Sequence, residues 1–66
     1  MISKGDIVEL QREYSYLVGK HVRGVITDTS NTPNGKIYYV AIPRRYHALG
    51  KSRIVVVKDY EIRKIM

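Results

Sequence analysis

Sixty-six residues carry 12 Lys plus Arg against 6 Asp plus Glu, a formal charge of +6, with 16 Val plus Ile and only 3 Leu. A chain of this length holds one small domain, residues 1–66, which buries roughly 60% of its surface on folding and is marginally stable alone. The absence of cysteine excludes disulfide staples, thiolate zinc sites and thiol nucleophiles, and the longest apolar run, Ile54 to Val57, is too short to span a bilayer, so an intracellular protein with no membrane association is expected.

Branched Val and Ile favour pleated strands over helix, so the composition predicts an all-β domain. Gly5 to Leu10 (GDIVEL) reads as the first strand, and residues 11–19 (QREYSYLVG), which follow neither period two nor a helical stripe, read as a long loop. Lys20 to Thr29 alternates Val22, Gly24 and Ile26 with Arg23, Val25 and Thr27 and reads as a strand whose interior glycine marks a bulge, a bend or a close backbone approach. Ser30 to Gly35 (SNTPNG) concentrates turn residues and predicts a hairpin tip. Lys36 to Ile42 returns, with Ile37, Tyr39 and Ala41 on one face and Tyr38, Val40 and Ile42 on the other, and Pro43 stops it by removing a ladder donor. After a loop over 44–52, Arg53 to Val57 (RIVVV) is apolar on both faces and predicts a central, doubly covered strand. Lys58 to Tyr60 reads as a tight turn before a fifth short strand, Glu61 to Ile65.

Five short strands predict a small closed or nearly closed antiparallel barrel, because closure removes exposed edges. The stretches Gly5-Asp6-Ile7-Val8, Gly19-Lys20-His21-Val22-Arg23-Gly24-Val25-Ile26 and Val57-Lys58-Asp59-Tyr60-Glu61-Ile62 resemble the Src-homology-3-like barrels, particularly the nucleic-acid-associated KOW and Tudor-type members. The resemblance spans nearly the whole chain and implies a long loop after the first strand and a short 3₁₀ turn before the last. The superfamily hosts many functions, so function has to come from the surface.

The positive charge is concentrated. Residues 1–42 and 54–66 each carry a net of +1, whereas 43–53 (PRRYHALGKSR) carry Arg44, Arg45, Lys51 and Arg53 with no acid. Tyr46 and His47 in the same loop add planar groups, so guanidinium forks for phosphate stand beside rings that can stack on bases. Nucleic acid is the expected partner, with Lys20 and Arg23 extending the strip and a logarithmic salt slope of roughly −5 for six phosphate contacts. Two other readings fit the same field: an acidic protein partner, and a solvated hairpin that blunts a strand edge.

The resemblance implies that the 11–19 loop and the 3₁₀ turn flank a groove, which brings Tyr14, Tyr16 and Tyr60 together as a candidate protein-binding surface. The groove tryptophan and acidic loop of the peptide-binding members are absent, as is every other tryptophan. Tyr39 is expected in the core, with Tyr14, Tyr16, Tyr38 and Tyr46 at the surface. An adaptor role, and a homodimer whose strand edges pair, stand as the alternatives to nucleic-acid binding.

No enzyme activity, cofactor or metal is expected. His21 and His47 have no carboxylate at a spacing that suggests a base with its orienting acid, and two histidines fall short of a metal site. One superfamily member, the small plasmid-type dihydrofolate reductase, builds an active site from four barrels around a V-Q-I-Y stretch. The corresponding Arg53-Ile54-Val55-Val56-Val57 lacks the polar groups that would face substrate, which leaves an oligomeric reductase of that kind as the last alternative. Small size, no cysteine and only three Asn plus Gln suit a viral, plasmid or thermophile origin.

Overall fold

The computed structural model describes residues 2–12, Leu17, 21–47 and 53–65. Five strands, β1 (Ile7–Leu10), β2 (Arg23–Thr32), β3 (Gly35–Ile42), β4 (Arg53–Lys58) and β5 (Ile62–Lys64), form one antiparallel sheet in the order β4-β3-β2-β1-β5. Two 3₁₀ turns, Arg44–Tyr46 and Asp59–Glu61, precede β4 and β5 respectively. Among the described residues no ladder joins β4 to β5, so the sheet is open where closure was expected. No helix there is long and apolar enough to cross a membrane.

Alternation places one face of every strand in a single core: Val8 and Leu10, Val22 and Ile26, Tyr38, Val40 and Ile42, Val55 and Val57, and Ile62, with Ile2, Leu17 and Tyr46 packed against it. Full burial of a Val, Ile or Leu side chain contributes about 1.5–3 kcal/mol, so this face holds the sheet together. Gly24 lies opposite Val8 on this face. A Cβ there would stand 2.6 Å from both the Ala41 carbonyl oxygen and Val40 Cγ1. Close approach, one of the three roles expected of an interior glycine, is the one it fills. The bulge falls at Thr27, where the register shifts between Ile26 and Asp28 and the Thr27 hydroxyl donates to the Tyr39 carbonyl at 3.1 Å.

The hairpin tip is tighter than the expected Ser30 to Gly35, because Ser30, Asn31 and Thr32 belong to β2 and pair with β3. Thr32 pairs with Gly35 across Pro33 and Asn34, and Gly35 takes φ 118°, a conformation open to glycine at no steric cost. Two expectations about faces are overturned. Tyr38 is buried and Tyr39 faces outward, the reverse of the expected assignment, because Val40 and Ile42 carry the inward face of β3. Among the described residues β4 is an edge strand paired only with β3, and its outward residues Ile54 and Val56 are exposed, so the strand is not doubly covered.

Candidate nucleic-acid interface

Strand register gathers the arginines. On β1, Glu9 stands opposite Arg23 of β2 and, on its other side, opposite Arg63 of β5. Val25 pairs with Ala41, so an antiparallel ladder sets Arg23 level with Pro43, immediately before Arg44 and Arg45. Arg53 opens β4 opposite Ile42. Arg63, Arg23, Arg44, Arg45 and Arg53 therefore share one end of the strands, although they come from four separate segments of chain.

Glu9 is the acid within this cluster, and it is buried. Its carboxylate lies 3.4 Å from Arg23 Nε, 3.5 Å from Arg63 Nη2 and 3.4 Å from His21 Nδ1. Burial alone would raise its pKa; the His21 hydrogen bond and the charges of Arg63 and His21, helped by Arg23, outweigh that and hold it below the ordinary value. An ionised carboxylate can pair with cations on more than one side. Glu9 anchors two guanidiniums, and two arginines against one carboxylate leave the row positive.

The first 3₁₀ turn is closed by Tyr46 N–H donating to the Pro43 carbonyl and His47 N–H donating to that of Arg44, at 3.1 and 3.0 Å. It carries a ready-made stack: the Arg45 guanidinium lies 4.9 Å from the Tyr46 ring centroid and its Nη2 is 3.2 Å from the Tyr46 hydroxyl. Tyr46 is half-buried against the core, which fixes the ring and gives Arg45 a platform. His47 departs from its expected place among the contact residues. It is 7% exposed, its Nε2 has no hydrogen-bond partner among the described residues, and its backbone bridges to Leu17.

Of the other expected site residues, Lys20, Lys51, Tyr14 and Tyr16 lie outside the described residues. Tyr60 is 74% exposed on the second 3₁₀ turn. That turn is tied to the start of the long loop, since Glu61 accepts from Lys58 N–H at 2.9 Å, pairs with Arg12 at 2.8 Å, and its carbonyl accepts from Gln11 N–H. Among the described residues no group of three or more His, Asp or Glu is placed to hold a metal ion.

The sequence reading missed two features. One is Glu9 as the hub of Arg23, Arg63 and His21, which only the pairing of β1 with both β2 and β5 brings together. The other is an apolar surface on the outward face, where Val25, Ile54 and Val56 are 42%, 50% and 52% exposed. A shallow open groove at its margin is lined by Ala41, Ile42, Pro43, Arg53 and Ile54. Compared with known proteins, the chain matches no family model, no curated protein and no solved structure.

Proposed function

We propose that this chain is a non-enzymatic Src-homology-3-like domain that binds nucleic acid, mainly through phosphate and with little sequence preference. The strand order β4-β3-β2-β1-β5 and the 3₁₀ turn before β5 support the fold assignment. One observation carries the function: the register that sets Arg63 and Arg23 on either side of Glu9 and continues to Arg44, Arg45 and Arg53. Phosphate contacts of this kind position a duplex or single strand, and the Arg45–Tyr46 stack offers a flat surface for an unpaired base.

Five arginine–phosphate contacts on a duplex correspond to a logarithmic salt slope of about −4.5, so raising salt from 50 to 200 mM should weaken binding about 500-fold. Fluorescence anisotropy with a labelled 20-base-pair duplex and a single-stranded RNA of equal length tests this. Removing Arg44 and Arg45 together (Arg44→Ala, Arg45→Ala) should reduce the slope by about 2. Undetectable binding at 50 mM salt, or a double variant that binds like the wild type, overturns the reading.

A second reading, contact with protein, is favoured by one specific observation, the exposed Val25, Ile54 and Val56 on the outward face.

A further inference from the structure

The outward face carries a surface that phosphate binding does not use. Ile7 pairs with Val25, Val25 with Ala41, and Ala41 with Ile54, which makes one uninterrupted apolar row across four strands. Tyr39 and Val56 pair in the adjoining row. Among the described residues charge flanks these rows on both sides: Asp28 opposite Tyr39 on β2 and Lys58 opposite Ile37 on β4 at one end, and the Arg63–Glu9–Arg23 row next to Ile7 and Val25 at the other. A contiguous patch of branched side chains, half exposed and rimmed by polar groups, is the usual mark of a contact surface.

We propose that a second copy of this chain covers this face, stacked sheet on sheet about a two-fold axis running along β3. Such an axis lays β2 of one protomer over β4 of its partner, at the same height along the strands. Val25 then meets the partner's Ile54, Ala41 and Tyr39 meet their own counterparts, and Asp28 comes within reach of the partner's Lys58. The patch is thus self-complementary in shape class and, at the Asp28–Lys58 end, in charge, whereas Arg23 of each copy comes to lie near the partner's Arg53, a repulsion that salt screens. Pairing β4 edge to edge would leave Ile54 and Val56 exposed in a longer sheet, so it does not account for the patch.

The area suits a modest dimer. The three strands that overlap, β2, β3 and β4, lie about 4.8 Å apart and, with about six residues of each at ~3.3 Å, cover a footprint of about 300 Å² before side-chain relief and the rim are added. A standard interface takes about 800 Å² from each partner, about a sixth of the 4689 Å² surface of this chain. Association in the micromolar range is expected, and it relieves the marginal stability of a domain this small. Rotation about an axis parallel to the strands also leaves both arginine-bearing ends on the same side of the dimer. That last consequence rests on the nucleic-acid reading; the dimer does not.

Analytical ultracentrifugation of the full chain from 1 to 200 μM, at 50 and 500 mM salt, tests the proposal. The expected result is a monomer–dimer equilibrium that tightens with salt, because two chains of charge +6 repel while the contact is apolar. This is the opposite sign to nucleic-acid binding, so the two readings fail separately. Val25→Glu and Val56→Glu, each at an exposed position and each checked by far-UV circular dichroism, should weaken association at least tenfold. A wild type that stays monomeric to 200 μM overturns the proposal and leaves the face to a different partner. A dimer that survives both variants overturns it, as does one lost with Val56→Glu but kept with Val25→Glu, which would assign association to the β4 edge.

Discussion

Glu9 and Arg23 face each other across β1 and β2, Oε2 to Nε at 3.4 Å, and this contact compensates one cation within a surface that otherwise gains from being positive. The two effects have opposite signs. Glu9→Gln leaves Arg23 and Arg63 side by side without their carboxylate, so the thermal midpoint should fall at pH 7 while affinity for a duplex at 50 mM salt rises. Thermal unfolding and anisotropy on the same preparation check this, and a variant that lost both stability and binding would contradict it.

Gly24→Ala puts a methyl group 2.6 Å from the Ala41 carbonyl oxygen and from Val40 Cγ1. Backbone on one side and a packed core residue on the other leave no flexible end to move aside. Overpacking of this kind costs about 1–3 kcal/mol. In a domain of this size each kcal/mol lowers the midpoint by about 4–8 °C. Differential scanning calorimetry should record a fall in that range.

Acid should destabilise the fold through three carboxylates. A backbone hydrogen bond from Ser3 chiefly lowers Asp6, and one from Lys58 chiefly lowers Glu61. Glu9 is lowered against its own burial. Each folded-state pKa lies below its unfolded value, so the stability these groups contribute is fully present above the unfolded pKa and is lost as pH falls through the folded one. Midpoints measured from pH 7 down to pH 2 should be flat above about pH 5 and decline below it. Glu61→Gln, which loses the charge paired with Arg12, should lower the midpoint at pH 7 and flatten the decline.

Tyr38 and Tyr39 are adjacent in the chain and unequal in the fold. Tyr38→Ala empties a core position and should cost about 3–5 kcal/mol, the range for large aromatic-to-Ala changes. A domain of this length has about 3–10 kcal/mol in total. Tyr39→Ala, on the outward face, should cost far less stability. Urea denaturation of the two variants separates them, and equal losses would contradict the face assignment.

Local chemistry made some of this legible in the sequence. Pro33-Asn34-Gly35 dictates a reversal whatever surrounds it, Pro43 ends a ladder, and Lys58 to Tyr60 lie at the turn before the last strand. The faces were harder. Both sides of 37–42 are apolar, so alternation gives two sets without saying which is inside, and Tyr39 was placed in the core. Ile54 to Val57 is apolar throughout, which is the pattern of a covered central strand, yet among the described residues β4 has a neighbour on one side only. At the candidate site, the basic content of 43–53 was plain from composition. The burial of His47 and the convergence of Glu9, His21, Arg23 and Arg63 depend on strands distant in the chain lying side by side, and no local pattern encodes that.

The strand order also has a bearing on how the chain reaches this state. β1, β2, β3 and β4 each pair with a sequence neighbour, whereas β5 pairs with β1 from the other end of the chain, and Ile65 N–H, just past β5, donates to the Ile7 carbonyl. Loop-closure entropy places the meander early and the β1–β5 zipper late. Core substitutions near the Thr32–Gly35 hairpin should therefore slow folding, and those at Ile62 should chiefly speed unfolding. In a newly made chain, the apolar outward face of the meander is present before β5 arrives to cover the β1 edge.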